Sequence, residues 1–293
     1  MSKSLRILAV IHHPWDPRLG ASRVYVELAS EWERAGHHVE KFCLTDAFPR
    51  PTRSRPMSIL RQVLFARRAA DFVRRNGARF DIIDALIGTL PVPKERLRFH
   101  GLIVGRSVGL PQLYEEFVSS SQKRWPDQPR GKLVGRIFYR LVKWMLQRNA
   151  DRALRHCDLF NVANEDEKGW LEQRCPGKPV IVLPYGLNDE ERAAFGNAAR
   201  PGAERLRRKE ICFLGMWSVR KGSRDWPDIV RRILKSEPSA RFAFFGTMTD
   251  EQSVLRDLQL TASESIRCLP EYQPQELPQL IANCAVGLFP SYI

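Results

Sequence analysis

Long apolar runs and patterned cysteines are both missing from the sequence. No run approaches the roughly 20 apolar residues that a membrane-spanning helix needs, and the N-terminus MSKSLRILAVIHHPWDP has too short an apolar core for a signal peptide. The cysteines stand at positions 43, 157, 175, 212, 268 and 284 without CxxC spacing, which is typical of reduced thiols. The sequence therefore predicts a soluble cytoplasmic protein without a metal site.

Three nucleotide-binding signatures are also missing. No GxGxxG follows the first apolar run, and no GxxxxGK[ST] occurs, so neither an NAD-type Rossmann site nor a P-loop is expected. A DxD pair, which could hold a metal-bound diphosphate, is absent as well. We therefore expect no bound cofactor. Any diphosphate that binds must be neutralised by backbone amides and cationic side chains.

Histidine is scarce, which bears on a serine-hydrolase motif. The segment GRSVG at 105–109 matches the G-x-S-x-G turn and would make Ser107 a nucleophile. Such an enzyme needs an acidic residue and then a histidine later in the chain, but His156 is the only histidine after Ser107. Leu110-Pro111 also disfavours a helix directly after the turn. The hydrolase remains an alternative that the sequence disfavours.

Positive charge is the unusual bulk property of this chain. The net charge is +14, and nine arginines with a single acidic residue fall between positions 50 and 79. Basic proteins often bind nucleic acid, but no zinc finger, helix-turn-helix or RNA-stacking motif is recognisable. We therefore expect no nucleic-acid partner.

A second basic stretch, 132–156, has helical apolar spacing with basic residues between. Its spaced apolar residues are Val134, Ile137, Phe138, Leu141 and Met145. Two interpretations stay open: a core helix with a solvated basic face, or a helix that lies on an anionic membrane surface. In the second, the membrane or acceptor face comprises Arg136, Arg140, Lys143 and Trp144.

Short apolar strands alternate with helical stretches along the whole chain. The first strand is followed by the helix SRVYVELASEWERAGH, in which Val24, Leu28 and Trp32 are expected to face the core. This alternation implies parallel sheets with helices on both faces. It restarts after a polar segment, so we expect an α/β protein with two facing Rossmann-like domains. The predicted domains are 1–186 and 209–293, joined by a linker at 187–208.

Two loops offer phosphate-binding residues. Gly20 and Ala21 precede the first helix, and small residues there let a phosphate approach the helix N-terminus. In GMWSVRKGS, Arg220 and Lys221 follow the first strand of the second domain, at the sheet edge where such folds bind ligands. An exposed basic turn is the simpler interpretation of the second pair.

A series of motifs resembles retaining glycosyltransferases of the GT-B fold, of the type called family 4. GASRVYVELASEWERAGHHV resembles the family's first loop and helix, and GRSVGLPQLYEEF an Arg-Ser-His-Gly-Leu segment of some members. NVANEDEKGWL with VIVLPYGLND resembles the run into the Pro-Asn-Gly-Val hinge. FLGMWSVRKG resembles the donor-domain phosphate loop, and IRCLPEYQPQELPQLIANCAVGLFPS the approach to the donor-binding helix. The resemblance spans nearly the whole chain.

The resemblance implies a role for several residues. Gly20 and Ala21 would face the donor's β-phosphate, Arg220 and Lys221 would grip the diphosphate, and the backbone near Leu269 would lie against the nucleobase. It implies metal-independent sugar transfer with retention from a nucleotide sugar to a glycan or lipid-linked acceptor. The setting would be cell-envelope polysaccharide biosynthesis, and the basic surface suggests an acceptor at the inner face of the cell membrane.

The departures from the family pattern qualify this hypothesis. Val108 stands where some members have a histidine, so no catalytic residue can be named. The family continues after Pro-Ser with a glutamate, a Gly-Phe-Gly turn and a second glutamate, whereas this sequence stops at Ile293. We therefore expect an incomplete C-terminal domain, with an open edge and apolar face on its last strand, Cys284 to Phe289. A non-catalytic, glycosyltransferase-like binding protein is the second hypothesis.

Overall fold

A computed structural model describes residues 3–125, 133–260 and 265–292, apart from the side chains of Gln122, Leu133, Val134 and Arg136. The chain divides into two compact units. Unit 1 comprises 1–116 and 127–186, and unit 2 comprises 117–126 and 187–293. No helix within the described ranges is long and apolar enough to span a membrane.

Unit 1 is built on a parallel sheet of six strands within its described residues. The strands are β1 (Arg6–Ile11), β2 (His38–Cys43), β3 (Ile82–Leu86), β4 (Leu102–Arg106), β5 (Leu159–Val162) and β6 (Val180–Val182), in the spatial order β2-β1-β3-β4-β5-β6. The central strands are buried on both faces, as the continuous apolar runs LAVI and IVG predict.

Helices cover the two faces of this sheet. They are α1 (Gly20–Arg34), α2 (Leu44–Ala47), α3 (Arg55–Asn76), α4 (Lys94–Leu97), α6 (Leu133–His156) and α7 (Glu165–Arg174), whereas α5 (Pro111–Arg124) begins in unit 1 and ends in unit 2. The main core lies between the sheet and α3, α6 and α7, where Phe65, Leu154 and Leu171 are buried against strand residues such as Leu8 and Phe160.

Unit 2 contains a smaller parallel sheet. Its strands are β7 (Glu210–Leu214), β8 (Arg241–Phe245), β9 (Ile266–Leu269) and β10 (Val286–Gly287), in the order β10-β7-β8-β9. Its helices are α8 (Asp189–Ala198), α9 (Gly202–Arg208), α10 (Trp226–Ser236), α11 (Glu251–Leu258) and α12 (Leu277–Ile281). The predicted linker at 187–208 forms α8 and α9, and α8 packs on α12. The predicted α/β class with parallel sheets is confirmed.

Two local predictions differ from the structure. In α1, Ser22, Tyr25 and Ala29 are buried, whereas Val24 and Leu28 are only half-buried. The apolar spacing misplaced the buried face because Tyr25 packs beneath the buried Arg106, whose guanidinium lies 5.9 Å from the ring centroid.

The last strand is shorter than the predicted Cys284 to Phe289, and it lies at the edge of its sheet, where the sequence predicted an open edge. Only Val286 and Gly287 pair with β7, at the sheet edge, and half of the Val286 surface is exposed. Cys284 is buried, and the Phe289 ring lies 6.2 Å from that of Phe213. Phe289 is itself 52% exposed, so the segment passes from a buried start to a largely exposed end, because only one strand pairs with it.

Truncating Trp226 should selectively destabilise unit 2. Its indole is fully buried and meets Phe213, Phe242 and Phe244 edge-on, so Trp226→Ala should cost about 3–5 kcal/mol. Hydrogen exchange followed by mass spectrometry should show faster exchange in 209–260 and unchanged exchange in β1 and β3. The half-exposed Trp144 provides the control: W144A should leave both regions protected. Equal loss of protection in the two units would contradict independent cores.

Candidate functional site

Three loops of unit 2 meet at the carboxyl edge of its sheet. Trp217, in the loop after β7, donates its backbone N–H to Thr247 after β8, at 2.8 Å. Met248 in turn donates to Pro270 after β9, at 3.0 Å. The loop after β7 contains a 3-10 turn, Val219–Lys221, which ends at Gly222 with φ +83°. A side chain at Gly222 would clash with the Pro290 carbonyl oxygen, 2.4 Å from an ideal Cβ, so only glycine fits.

The cations of this turn are the main candidates for binding a diphosphate. The backbone N–H groups of Lys221, Gly222 and Ser223 already donate to carbonyls within the turn. Arg220 and Lys221 are half-buried, and burial and the neighbouring Arg220 lower the pKa of Lys221. Within the described residues, the Lys221 ammonium has no hydrogen-bond or ion-pair partner. Neutralisation of an anion here would therefore fall to side chains.

Leu269 shares this edge with Arg220 and Lys221. It is the last residue of β9 and is half-buried, and its carbonyl oxygen accepts a hydrogen bond from Gly246, at 2.8 Å. The ring of Tyr272 lies against Gly246, 3.0 Å from the position that a Cβ would take. The structure thus gathers three of the predicted donor-site residues at one end of one sheet.

The other predicted phosphate contacts, Gly20 and Ala21, lie in unit 1. They are the first two residues of α1, which follows β1 at the carboxyl edge of its sheet. The first helical hydrogen bond runs from the Arg23 N–H to Leu19, and no side chain caps the helix. Apart from its chain neighbours and the backbone of α1, no atom of the described residues lies within 4 Å of where a Cβ of Gly20 would stand. This helix end is therefore sterically open to an anion.

A buried ionic network crosses three strands of unit 1. The Arg106 guanidinium donates to both carboxylate oxygens of Asp84, at 2.8 and 2.5 Å, and to the Asn161 side-chain oxygen, at 2.9 Å. Burial pulls the pKa of Arg106 down, and Asp84 outweighs burial, so that the net shift is upward. The network holds β3, β4 and β5 in register at the edge of the sheet where the loops emerge.

Ser107 has a structural environment that does not suit a nucleophile. Its hydroxyl donates to Glu167, at 3.1 Å, and accepts from the Gly109 N–H, at 3.0 Å. Glu167 also accepts from the Leu110 N–H, and the Tyr185 hydroxyl donates to the Ser107 carbonyl. Ser107 is only 2% exposed. In the described part of the chain no histidine contacts its hydroxyl, so these bonds fix the loop after β4 without activating the serine.

The buried side of α6 differs from the side that the apolar spacing predicted. Val142, Ala150 and Leu154 are buried, whereas Ile137 and Leu141, which the spacing placed on the apolar side, are more than half exposed. Trp144 is 53% exposed, with the Arg148 guanidinium 5.2 Å from its ring centroid.

The predicted cations of α6 do not form one group. Arg140 is exposed, but Lys143 forms an ion pair with Glu115 of α5 and therefore does not belong to the outward face. The side chain of Arg136 lies outside the described residues. We call Ile137, Arg140, Leu141, Trp144 and Arg148 the outer α6 face.

Sequence reasoning missed the buried polar residues of unit 1. Asp84, Arg106 and Asn161 each interrupt an apolar strand, in FDIIDALIG, LIVGRS and DLFNVAN. A charged or amide side chain inside such a run must be paired to be buried, so this signal was present. No group of three or more His, Cys, Asp or Glu side chains that could hold a metal ion occurs among the described residues.

Comparison with known proteins identifies the fold but no family. No family model and no curated protein sequence matches the chain. The catalytic domain of starch synthase IV from Arabidopsis thaliana, bound to ADP and acarbose, has a TM-score of 0.59 at 13% identity over 99% of this chain and 79% of that one. A glycosyltransferase from Rickettsia africae has a TM-score of 0.55 at 11% identity over 99% and 74%.

A third similar structure carries the name of a different reaction. It is a protein from Listeria monocytogenes called UDP-N-acetylglucosamine 2-epimerase, with a TM-score of 0.54 at 10% identity over 97% of this chain and 74% of that one. These likenesses show a GT-B-like α/β fold with parallel sheets, and at such identity they do not assign a reaction.

Removing one partner of the buried network should be costly. Asp84→Ala leaves the Arg106 guanidinium buried without its carboxylate, so we expect a loss of about 3–5 kcal/mol in the free energy of unfolding. Urea titration followed by circular dichroism measures it. Asp71→Ala, which removes a solvent-accessible partner of Arg74 on α3, should leave the midpoint nearly unchanged. Similar midpoints for D84A and D71A would show that the network is not stabilising.

Proposed function

We propose that this protein binds a nucleotide sugar through unit 2 and transfers the sugar to an acceptor. The proposal is supported above all by the position of Lys221. This half-buried cation has no carboxylate partner among the described residues, and its loop ends at a glycine at the carboxyl edge of a parallel sheet. Ligands of open α/β sheets bind at such edges. Similar folds include one bound to ADP and one named for a UDP sugar, which supports a nucleoside diphosphate.

The proposed reaction is a metal-independent transfer with retention. The bond between the anomeric carbon and the diphosphate oxygen breaks, and the acceptor oxygen bonds to that carbon from the same face. The proton of the acceptor hydroxyl passes to the departing phosphate. Lys221 and Arg220 of unit 2 stabilise the negative charge that develops on the leaving group. In unit 1, the open N-terminus of α1 is by itself a proposed phosphate contact.

We further propose that the acceptor is glycan or lipid-linked and is met at the cytoplasmic face of a membrane. The outer α6 face supports this, because it exposes Ile137, Leu141 and Trp144 beside Arg140 and Arg148. Apolar and aromatic side chains flanked by arginines are typical of helices that rest on anionic lipid.

Lys221→Met should weaken nucleotide binding while preserving the fold. Because it removes a charge-assisted contact to phosphate, we expect the Kd for UDP or ADP to rise about 10- to 100-fold. Isothermal titration calorimetry provides the measurement, and uridine and adenosine show whether the effect depends on phosphate. Lys209→Met is the matched control, since Lys209 pairs with Glu237 and precedes β7 at the opposite edge of the sheet.

The same titrations separate the two functional hypotheses. Unchanged UDP and ADP affinity in K221M would reject this loop as the diphosphate site. If the unmodified protein binds neither UDP, ADP nor their sugars, the non-catalytic binding protein becomes the better hypothesis.

Neutralising the outer α6 face should reduce binding to anionic membranes. Each arginine near an anionic surface contributes about 1 kcal/mol, so Arg140→Gln with Arg148→Gln should weaken binding about 30-fold. The assay is sedimentation with phosphatidylglycerol-containing vesicles, with pure phosphatidylcholine vesicles for comparison. Arg207→Gln with Arg208→Gln in α9 makes the same charge change elsewhere and should have little effect. Equal binding by both double variants would reject the outer α6 face as the membrane contact.

A further inference from the structure

Unit 1 contains a pocket whose lining includes Lys143 but none of the other predicted site residues. It has a volume of about 300 Å³ and lies between α3, α6, the start of α5 and the loops after β1 and β3. Ile59 and Phe65 of α3 form one wall, and Val142, Leu146 and Ala150 of α6 form another. Its size is at the lower end of the range for small-molecule sites.

The walls of this pocket are apolar and carry no net charge. Besides the aliphatic residues, the rings of Phe65, Tyr114 and Tyr139 line it. The only lining residues with an acidic or ammonium side chain are Glu115 and Lys143, which form an ion pair with each other. A phosphate or carboxylate entering here would find no unpaired cation among the lining residues and would lose its hydration. The pocket therefore favours an uncharged ligand.

His12 supplies a polar group to the lining of this pocket. It follows β1 directly, lines the pocket, and has its ring centroid 4.4 Å from that of His13 and 6.4 Å from that of Phe65. Burial, with a smaller effect of His13, lowers the pKa of His12 to about 3, so the imidazole is neutral near pH 7. A neutral imidazole has one nitrogen that accepts a hydrogen bond, as a ligand hydroxyl requires. Gln62, Thr89 and Gln147 add uncharged polar groups.

We infer that this pocket binds an uncharged small molecule, or the end of a larger one, in which a hydroxyl adjoins an aromatic or alicyclic body. His12 accepts the hydroxyl hydrogen bond, and the walls from α3 and α6 enclose the apolar body. That this ligand is the acceptor of sugar transfer rests on the proposed function. Within that function, the pocket selects a lipid-type acceptor with an apolar stem in preference to a polysaccharide.

Fluorescence titration with 2-naphthol tests the pocket in the full chain, without a nucleotide. Naphthalene has the same body without the hydroxyl, and 2-naphthyl phosphate carries an anion. We expect saturable binding of 2-naphthol, weaker binding of naphthalene, and no saturable binding of the phosphate. His12→Phe keeps an aromatic ring but removes the acceptor, so 2-naphthol should lose about five- to tenfold in affinity while naphthalene is unaffected.

Filling the pocket provides the second arm of the test. Leu146→Trp should weaken 2-naphthol binding at least tenfold by occupying the space, and Ile59→Trp should do the same from the opposite wall if L146W does not fold. Leu64→Trp is the matched control on α3, because Leu64 is 41% exposed and does not line the pocket. Absence of saturable binding, equal binding of 2-naphthyl phosphate, or full affinity in both filled variants would overturn the inference.

These outcomes are distinguishable from failure of the proposed function. UDP and ADP titrations examine unit 2, whereas 2-naphthol examines unit 1. Naphthol binding without nucleotide binding would keep the pocket and reject the transferase, and the reverse result would keep the transferase and reject this acceptor class.

Discussion

Parallel strand pairing is the constraint on which the sites of this protein depend. In a parallel sheet every strand ends at the same edge, so the loops that follow different strands meet there although they are far apart in sequence. In unit 2 this brings Lys221, Gly246 and Leu269 to one edge. In unit 1 it brings together His12, Gly20 and Thr89, which follow β1 and β3. The candidate binding residues of both units therefore lie in the loops that follow the paired strands.

The charged groups at these edges divide according to whether they have partners. Arg106 is buried against Asp84 and Asn161, and this satisfied network fixes the strands that support the loops. Lys221 is half-buried in a turn whose own amides are already bonded. An anion that binds stabilises a cation that is partly desolvated and has no carboxylate partner, whereas it adds little to a cation that is already paired. This difference is why we place the diphosphate at Lys221 and a structural role at Arg106.

The fold restricts the possible functions but does not identify one of them. Similar structures include a starch synthase, a glycosyltransferase and a protein named as an epimerase, all of which share the GT-B-like arrangement of parallel sheets. The reaction therefore has to be argued from this chain's own side chains. The proposed roles of the outer α6 face and of the uncharged pocket beside α6 agree with each other. The outer α6 face suits contact with a membrane surface, and the pocket suits the apolar part of a molecule held in a membrane.

The sequence by itself determined the alternation of strands and helices, the parallel sheets and the loops that carry Gly20 and Lys221, because apolar periodicity and glycine placement are local signals. Only the tertiary structure decided which faces are buried. Periodicity cannot show that Tyr25 packs beneath Arg106, or that Leu141 points outward while Val142 points inward, since helices with apolar residues on several sides need their neighbours to select one. The pairing of Lys143 with Glu115 and the pocket at His12 also join distant segments, so no local pattern could reveal them.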